Sequence, residues 1–178
     1  SFVEVNGQKF HVLSAGEATA PPLLCMPGAM GTAETDWAPQ LEGLAAAGRR
    51  VISFDPRGYG QSRPPARRFP RDYYHIDAAA AAGLMRALGR GRDALMGWSD
   101  GANAGVILAA QNVAAVRKLV VFGGNSYITQ EDIDAYEATR EPRYLERAAL
   151  VADHVCNRQA GLTQGLVWEH FNEDWSAD

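Results

Sequence analysis

Along the first dozen residues apolar and polar positions alternate: Phe2, Val3 and Val5, then Asn6-Gly7, then Phe10 and Val12. Alternation marks a half-buried strand, and Asn-Gly is the preferred two-residue hairpin turn, so the chain is predicted to open with a β-hairpin. After Pro21-Pro22 the pattern becomes a short unbroken apolar run, Leu23 to Met26, closed by Pro27-Gly28. Such a run predicts a buried strand that feeds a loop. Trp37, Leu41 and Leu44 then recur at helical spacing and predict a helix over 36–47, with Asp36 as its cap, Pro39 tolerated in the first turn and Gly48 ending it. A second short strand, 51–54, runs into the turn-rich loop Asp55-Pro56-Arg57-Gly58-Tyr59-Gly60. A helix over 72–88, a strand over 94–98, a helix over 102–111 and a strand over 118–122 complete the regular pattern.

Strand and helix therefore alternate after an opening hairpin, which predicts an α/β fold with a mostly parallel sheet. Beyond Asn125 the pattern loses its strands and becomes charged and helical. The expected organisation is an α/β core over 1–125 and a helical cap or insertion over 126–178.

The segment Gly97-Trp98-Ser99-Asp100-Gly101 sits between a predicted strand and a predicted helix. It matches Gly-x-Ser-x-Gly in the context that makes this motif a nucleophile elbow. At so sharp a turn flanking side chains would clash, so small residues are needed on both sides of the serine. The turn lifts the hydroxyl clear of the sheet, and the start of the next helix brings N–H groups and the positive dipole end to where an oxyanion would develop. Ser99 is thus the candidate nucleophile, and the backbone N–H of Asp100 a candidate oxyanion donor. A second donor is expected from the loop after the third strand. That loop is Pro27-Gly28-Ala29-Met30-Gly31, and the N–H of Ala29 is its candidate.

Composition narrows the function classes. With 47% hydrophobic and 21% charged residues, 178 residues suffice for one ordinary domain with a core. A net charge of −4 speaks against a nucleic-acid partner. No apolar run is long enough to span a bilayer, and no signal peptide is read at Ser1. Cys25 and Cys156 cannot build a disulfide framework, so a reduced, cytoplasmic setting is expected, or a mitochondrial one if a targeting segment has been removed. No His/Cys/Asp cluster has ligand spacing, so neither a metal nor an organic cofactor is expected.

Taken together, 97–101, the loop from Pro27 to Asp36, the stretch from Asp55 to Pro65, and Phe122 to Thr129 with Glu131-Asp132 and Tyr136-Glu137 resemble the valacyclovir hydrolase (biphenyl hydrolase-like) family of α/β-hydrolases. The likeness runs in register over roughly the first 140 residues, and an Asp directly after the serine is unusual in the superfamily. The resemblance implies a serine esterase that cleaves α-amino acid esters, with Asp100 binding the substrate's α-amino group. The chemistry is apt: a carboxylate beside the nucleophile disfavours an anionic substrate and favours a cation through a charge-assisted hydrogen bond. The other role open to Asp100 is to complement the helix dipole. The loop from Asp55 to Gly58 is expected to shape the site without taking a catalytic step.

A serine needs a general base. In this fold the order is Ser, then Asp or Glu, then His, and the resemblance places the last two after two further strands. Those strands are not visible before Asp178, so both partners are expected beyond it. His11 and His75 precede the serine, and His154 and His170 follow it without a preceding strand, so none is assigned as the base. The expected partner is a small-molecule ester. A carbon–carbon bond hydrolase or general carboxylesterase, and a non-catalytic hydrolase-like fragment, remain alternatives. Epoxide hydrolases and dehalogenases are disfavoured, because they carry Asp where this chain has Ser99.

Overall fold

The computed structural model describes residues 1–70, 72–89, 93–112 and 114–125. The expected helical cap over 126–178, with Cys156, His154 and His170, lies outside the described residues.

The chain runs β1 (Phe2–Val5), β2 (Gln8–Ala15), β3 (Pro22–Met26), α1 (Ala33–Ala46), β4 (Arg50–Phe54), α2 (Tyr73–Ala87), β5 (Asp93–Trp98), α3 (Asp100–Gln111) and β6 (Val116–Phe122). Among the described residues the strands form one sheet in the order β1-β2-β4-β3-β5-β6. β1 and β2 are antiparallel, as is β2 against β4. From β4 onward the pairings are parallel. The hairpin turns where Asn-Gly predicts it: Asn6 and Gly7 both have positive φ, 50° and 76°, which gives the turn the twist its strands need.

Helices pack on both faces of the central strands β3 and β4, and side-chain alternation sorts the core into two halves. Leu24 and Met26 of β3, Ile52 and Phe54 of β4 and Leu95 of β5 pack with Ala78, Ala81 and Leu84 of α2 and Ala104 and Leu108 of α3. Their neighbours Leu23, Cys25 and Val51 point the other way, onto Trp37 and Leu41 of α1. Burial on both faces is why β3 and β4 read as unbroken apolar runs.

One boundary differs from the sequence expectation. α1 begins at Ala33, three residues before Asp36, and its cap is Thr32, whose side chain accepts from the Thr35 amide at 3.1 Å while Thr35 Oγ1 accepts from the Thr32 amide at 2.8 Å. That reciprocal pair satisfies the first amides of the helix. Pro39 consequently lies inside α1, and Gly48, with φ 79°, follows its end as expected. No helix among the described residues is long and apolar enough to cross a membrane.

Strand order reverses at β3, whose neighbours are β4 on one side and β5 on the other. In open α/β sheets ligands bind outside the carboxyl ends of the strands at such a point. The loops after β3 and β5 meet there.

Candidate active site

Ser99 lies between the last residue of β5 and the first of α3. Its backbone has φ 54° and ψ −120°, a conformation that glycine adopts freely and other residues only under strain. Both flanking glycines are sterically required. A Cβ on Gly97 would strike the backbone of Gly101 and come within 2.8 Å of Ala102 Cα. A Cβ on Gly101 would strike the carbonyl oxygens of Met26 and Pro27. Strand, turn and helix are packed so closely that the pattern read from the sequence is the steric condition for the turn. Ser99 is half-buried and its amide donates to the Phe122 carbonyl at 3.0 Å, which fastens the turn to the end of β6.

The loop after β3 lies against this turn. A Cβ on Gly28 would come within 2.9 Å of the Trp98 ring and 3.0 Å of Ser99 Cβ, so only glycine allows the approach. A turn closes from the Gly31 amide to the Gly28 carbonyl at 3.2 Å, with Met30 in left-handed backbone at φ 59°. Ala29, the proposed donor, is half-buried at the second position of this turn. The amide of Asp100 opens α3, and an amide at that position has no acceptor within its helix.

Two carboxylates support this region, Asp36, which sequence reasoning read as a helix cap, and Asp55, in the loop expected to shape the site. Asp36 turns back from α1, and its Oδ2 accepts from the Gly28 amide at 2.8 Å. It braces the loop and does not cap the helix. Asp55, 3% exposed, accepts from the amides of Ala33 at 3.0 Å and Gln61 at 2.8 Å, and its Oδ2 lies 3.2 Å from His11 Nδ1. Ser62 Oγ donates to the Asp55 carbonyl at 2.7 Å. The loop after β4 therefore supports the start of α1, the shaping role its sequence suggests.

Asp100 points inward, 5% exposed. Its Oδ1 accepts from Tyr74 Oη at 3.0 Å, and Asn103 Nδ2 donates to that same phenol oxygen at 3.0 Å and to Asn125 Oδ1 at 3.0 Å. Nearby, Arg67 grips Asp77 with two hydrogen bonds of 2.8 and 2.6 Å. The Arg67 guanidinium carbon also lies 5.0 to 5.5 Å from the ring centres of Tyr59, Phe69 and Tyr73. Burial works against the Arg67 charge, but the hydrogen bonds and charge of Asp77 outweigh it and hold the guanidinium protonated. Burial pushes the Asp77 carboxyl up from the usual range, and Arg67 opposes that push. Arg67, Asp77 and Asp100 line one cavity of about 10 Å³, room for a single water. Neither Arg67 nor Asp77 carries a motif that marks it in the sequence.

Of the described histidines, His11 is engaged with Asp55, and His75 lies against Gln111 with its Nδ1 3.2 Å from Gln111 Nε2. The described residues thus bring together Ser99, the Gly28–Gly31 turn and Asp100, without a histidine assigned as base.

Comparison with known proteins fits this geometry. The family profile described as alpha/beta hydrolase fold matches residues 21–169. The chain is 44% identical over 147 residues to the serine hydrolase BPHL of Mus musculus, covering 82% of this chain and 50% of that protein. It is 44% identical over 139 residues to the Homo sapiens counterpart, 78% of this chain and 47% of that one. The chain thus spans about half the length of the curated relatives it matches. Among solved structures, the epoxide hydrolase VrEH1 from Vigna radiata superposes with a TM-score of 0.61 at 29% identity, over 68% of this chain and 38% of that one.

Proposed function

The chain belongs to the alpha/beta hydrolase fold family, and on that premise we propose that it carries the nucleophile half of a serine esterase acting on α-amino acid esters. The strained, glycine-flanked backbone of Ser99 carries this reading, because strain of that kind persists where function requires the side chain to be presented. The two mammalian relatives are named serine hydrolases, which supports the same chemistry. Ser99 Oγ attacks the ester carbonyl while its proton passes to a general base that the described residues do not supply. The carbonyl oxygen takes the negative charge and is held by the amides of Ala29 and Asp100. Collapse expels the alcohol, which leaves with a proton, and water then cleaves the acyl-enzyme to the free acid. Asp36 keeps the donor loop in place, and Asp55 holds the start of the helix that carries Asp36.

The Asp100 carboxylate binds the α-ammonium of the substrate. Its burial and its Tyr74 hydrogen bond also suit a second reading, in which it serves only the packing of α2 against α3. Hydrolysis of a valine ester and its N-acetyl analogue, with Ser99→Ala as control, separates the two. Preference for the free amine, abolished in the control, supports the ammonium site. Equal hydrolysis of both esters selects the packing role, hydrolysis that persists in Ser99→Ala refutes Ser99 as the nucleophile, and a folded chain that cleaves neither ester lacks the catalytic acid and base.

A further inference from the structure

We propose that Met30 is a peroxide-reactive modification site, and that its oxidation to the sulfoxide slows reaction at Ser99. The site itself stands apart from the esterase reading. Its consequence rests on that reading, with Ser99 as nucleophile and Ala29 as oxyanion donor.

The chain has four methionines, and all four lie among the described residues. Met26 and Met85 are core residues, 2% and 6% exposed, and Met96 is half-buried beside the Trp37 cluster. An unbranched thioether of this kind ordinarily fills a gap in a core. Met30 is 44% exposed, on the loop that lies against the nucleophile. A peroxide must reach the sulfur to oxidise it, so Met30 is the first target.

Its place in the loop gives the change an effect. Met30 directly follows Ala29, inside the turn that the Gly31 amide closes on the Gly28 carbonyl. The turn is tightly held at both ends. A Cβ on Gly28 would come within 3.0 Å of Ser99 Cβ, and a Cβ on Gly31 would strike the Asp36 carboxylate. Met30 itself has left-handed backbone at φ 59°, which a residue with a Cβ keeps only where its surroundings enforce it.

In the reaction the thioether sulfur attacks one peroxide oxygen. The S–O bond forms as the O–O bond breaks, and the second oxygen leaves with the proton as water from hydrogen peroxide, or as an alcohol from an organic peroxide. Sulfur loses two electrons and the peroxide gains them. The product is a polar, chiral side chain in place of an apolar one. Its oxygen is a hydrogen-bond acceptor one residue from the Ala29 amide, where it competes with an oxyanion for the donors of the loop.

The test treats the native chain with dilute hydrogen peroxide, quenches with free methionine and maps the sulfoxides by peptide mass spectrometry. The rate at which an alkyl fluorophosphonate labels Ser99 is then measured, with Met30→Leu alongside and each chain compared with its own unoxidised rate. The first sulfoxide is expected at Met30. Labelling of the oxidised parent is expected to fall about tenfold, less than the loss of a whole oxyanion donor, while Met30→Leu changes by less than about twofold. A mixture of the two methionine sulfoxide reductases, one for each epimer, restores the parent. First oxidation at Met26, Met85 or Met96, or none at all, overturns the site. A Met30 sulfoxide that leaves the labelling rate unchanged overturns the consequence, as does an equal fall in oxidised Met30→Leu. A fall that comes with loss of far-ultraviolet dichroism reports unfolding and overturns it too. A parent that takes no label before oxidation contradicts the Ser99 reading and the consequence built on it, and the mapping still decides the site.

Discussion

Ser99 offers a direct test of stored strain, by comparison of Ser99→Gly with Ser99→Ala. At an ordinary position glycine is less stable than alanine by roughly 0.5–1 kcal/mol, because its unfolded chain has more freedom to lose. At Ser99 the sign should reverse. With φ 54° and ψ −120° a residue with a Cβ bears about 1–3 kcal/mol of strain, which alanine keeps and glycine removes. Subtracting the unfolded-state term leaves Ser99→Gly more stable than Ser99→Ala by about 1 kcal/mol. The two side chains differ by one methyl at a half-buried site, so packing contributes little. Urea denaturation measures the difference: with a slope of about 2 kcal/mol/M the glycine midpoint should lie about 0.5 M higher at unchanged slope. A Ser99→Ala chain as stable as Ser99→Gly, or more so, refutes the claim that the turn is strained.

Three further outcomes follow from the same geometry. Gly101→Ala drives a Cβ into the Met26 and Pro27 carbonyls, neither of which can move without shifting β3, and should cost about 3 kcal/mol or more in thermal denaturation. Asp36→Ala deprives the buried Gly28 amide of its acceptor and should lower kcat on a valine ester about tenfold or more with KM little changed, whereas Asp36→Asn, which keeps an acceptor oxygen, should be milder; a change confined to KM would contradict the bracing role. Burial pushes the Cys25 thiol up to about 12 from an ordinary 9.0, so the folded chain holds a proton that the unfolded chain releases between those values. Its contribution is intact below pH 9 and is lost as pH rises toward 12. At pH 8 iodoacetamide should leave Cys25 unmodified in the native protein and alkylate it in urea, as peptide mass mapping would show.

What the sequence discloses of this site follows from the range of the forces involved. The turn at Ser99 is legible because its sterics are local: five consecutive residues must satisfy it, and Gly97 and Gly101 are the visible trace. The opening hairpin is legible for the same reason, through Asn6-Gly7. Asp36 reads as a helix cap because its type and position suit one. The reciprocal bonds of Thr32 and Thr35 take that place, and the Asp36 carboxylate reaches eight residues back to Gly28, a contact no spacing rule announces. The Thr32/Thr35 pair was the available signal for the earlier start of α1. Arg67, Asp77, Tyr74 and Asp100 converge only because α2 packs beside α3, and Tyr74 lies 26 positions from the carboxylate it contacts. Partnerships of that kind are set by the fold, so periodicity and motif show the nucleophile but not the charges that surround it.

The central claim is that the elbow presents Ser99 as the nucleophile, and covalent labelling tests it most directly. The chain is incubated with an alkyl fluorophosphonate, digested, and the modified peptide is located by mass spectrometry, with Ser99→Ala in parallel. A single phosphonyl adduct on Ser99, absent from the variant, is the expected result. A chain that stays folded and takes no adduct, or takes it on another residue, contradicts the claim.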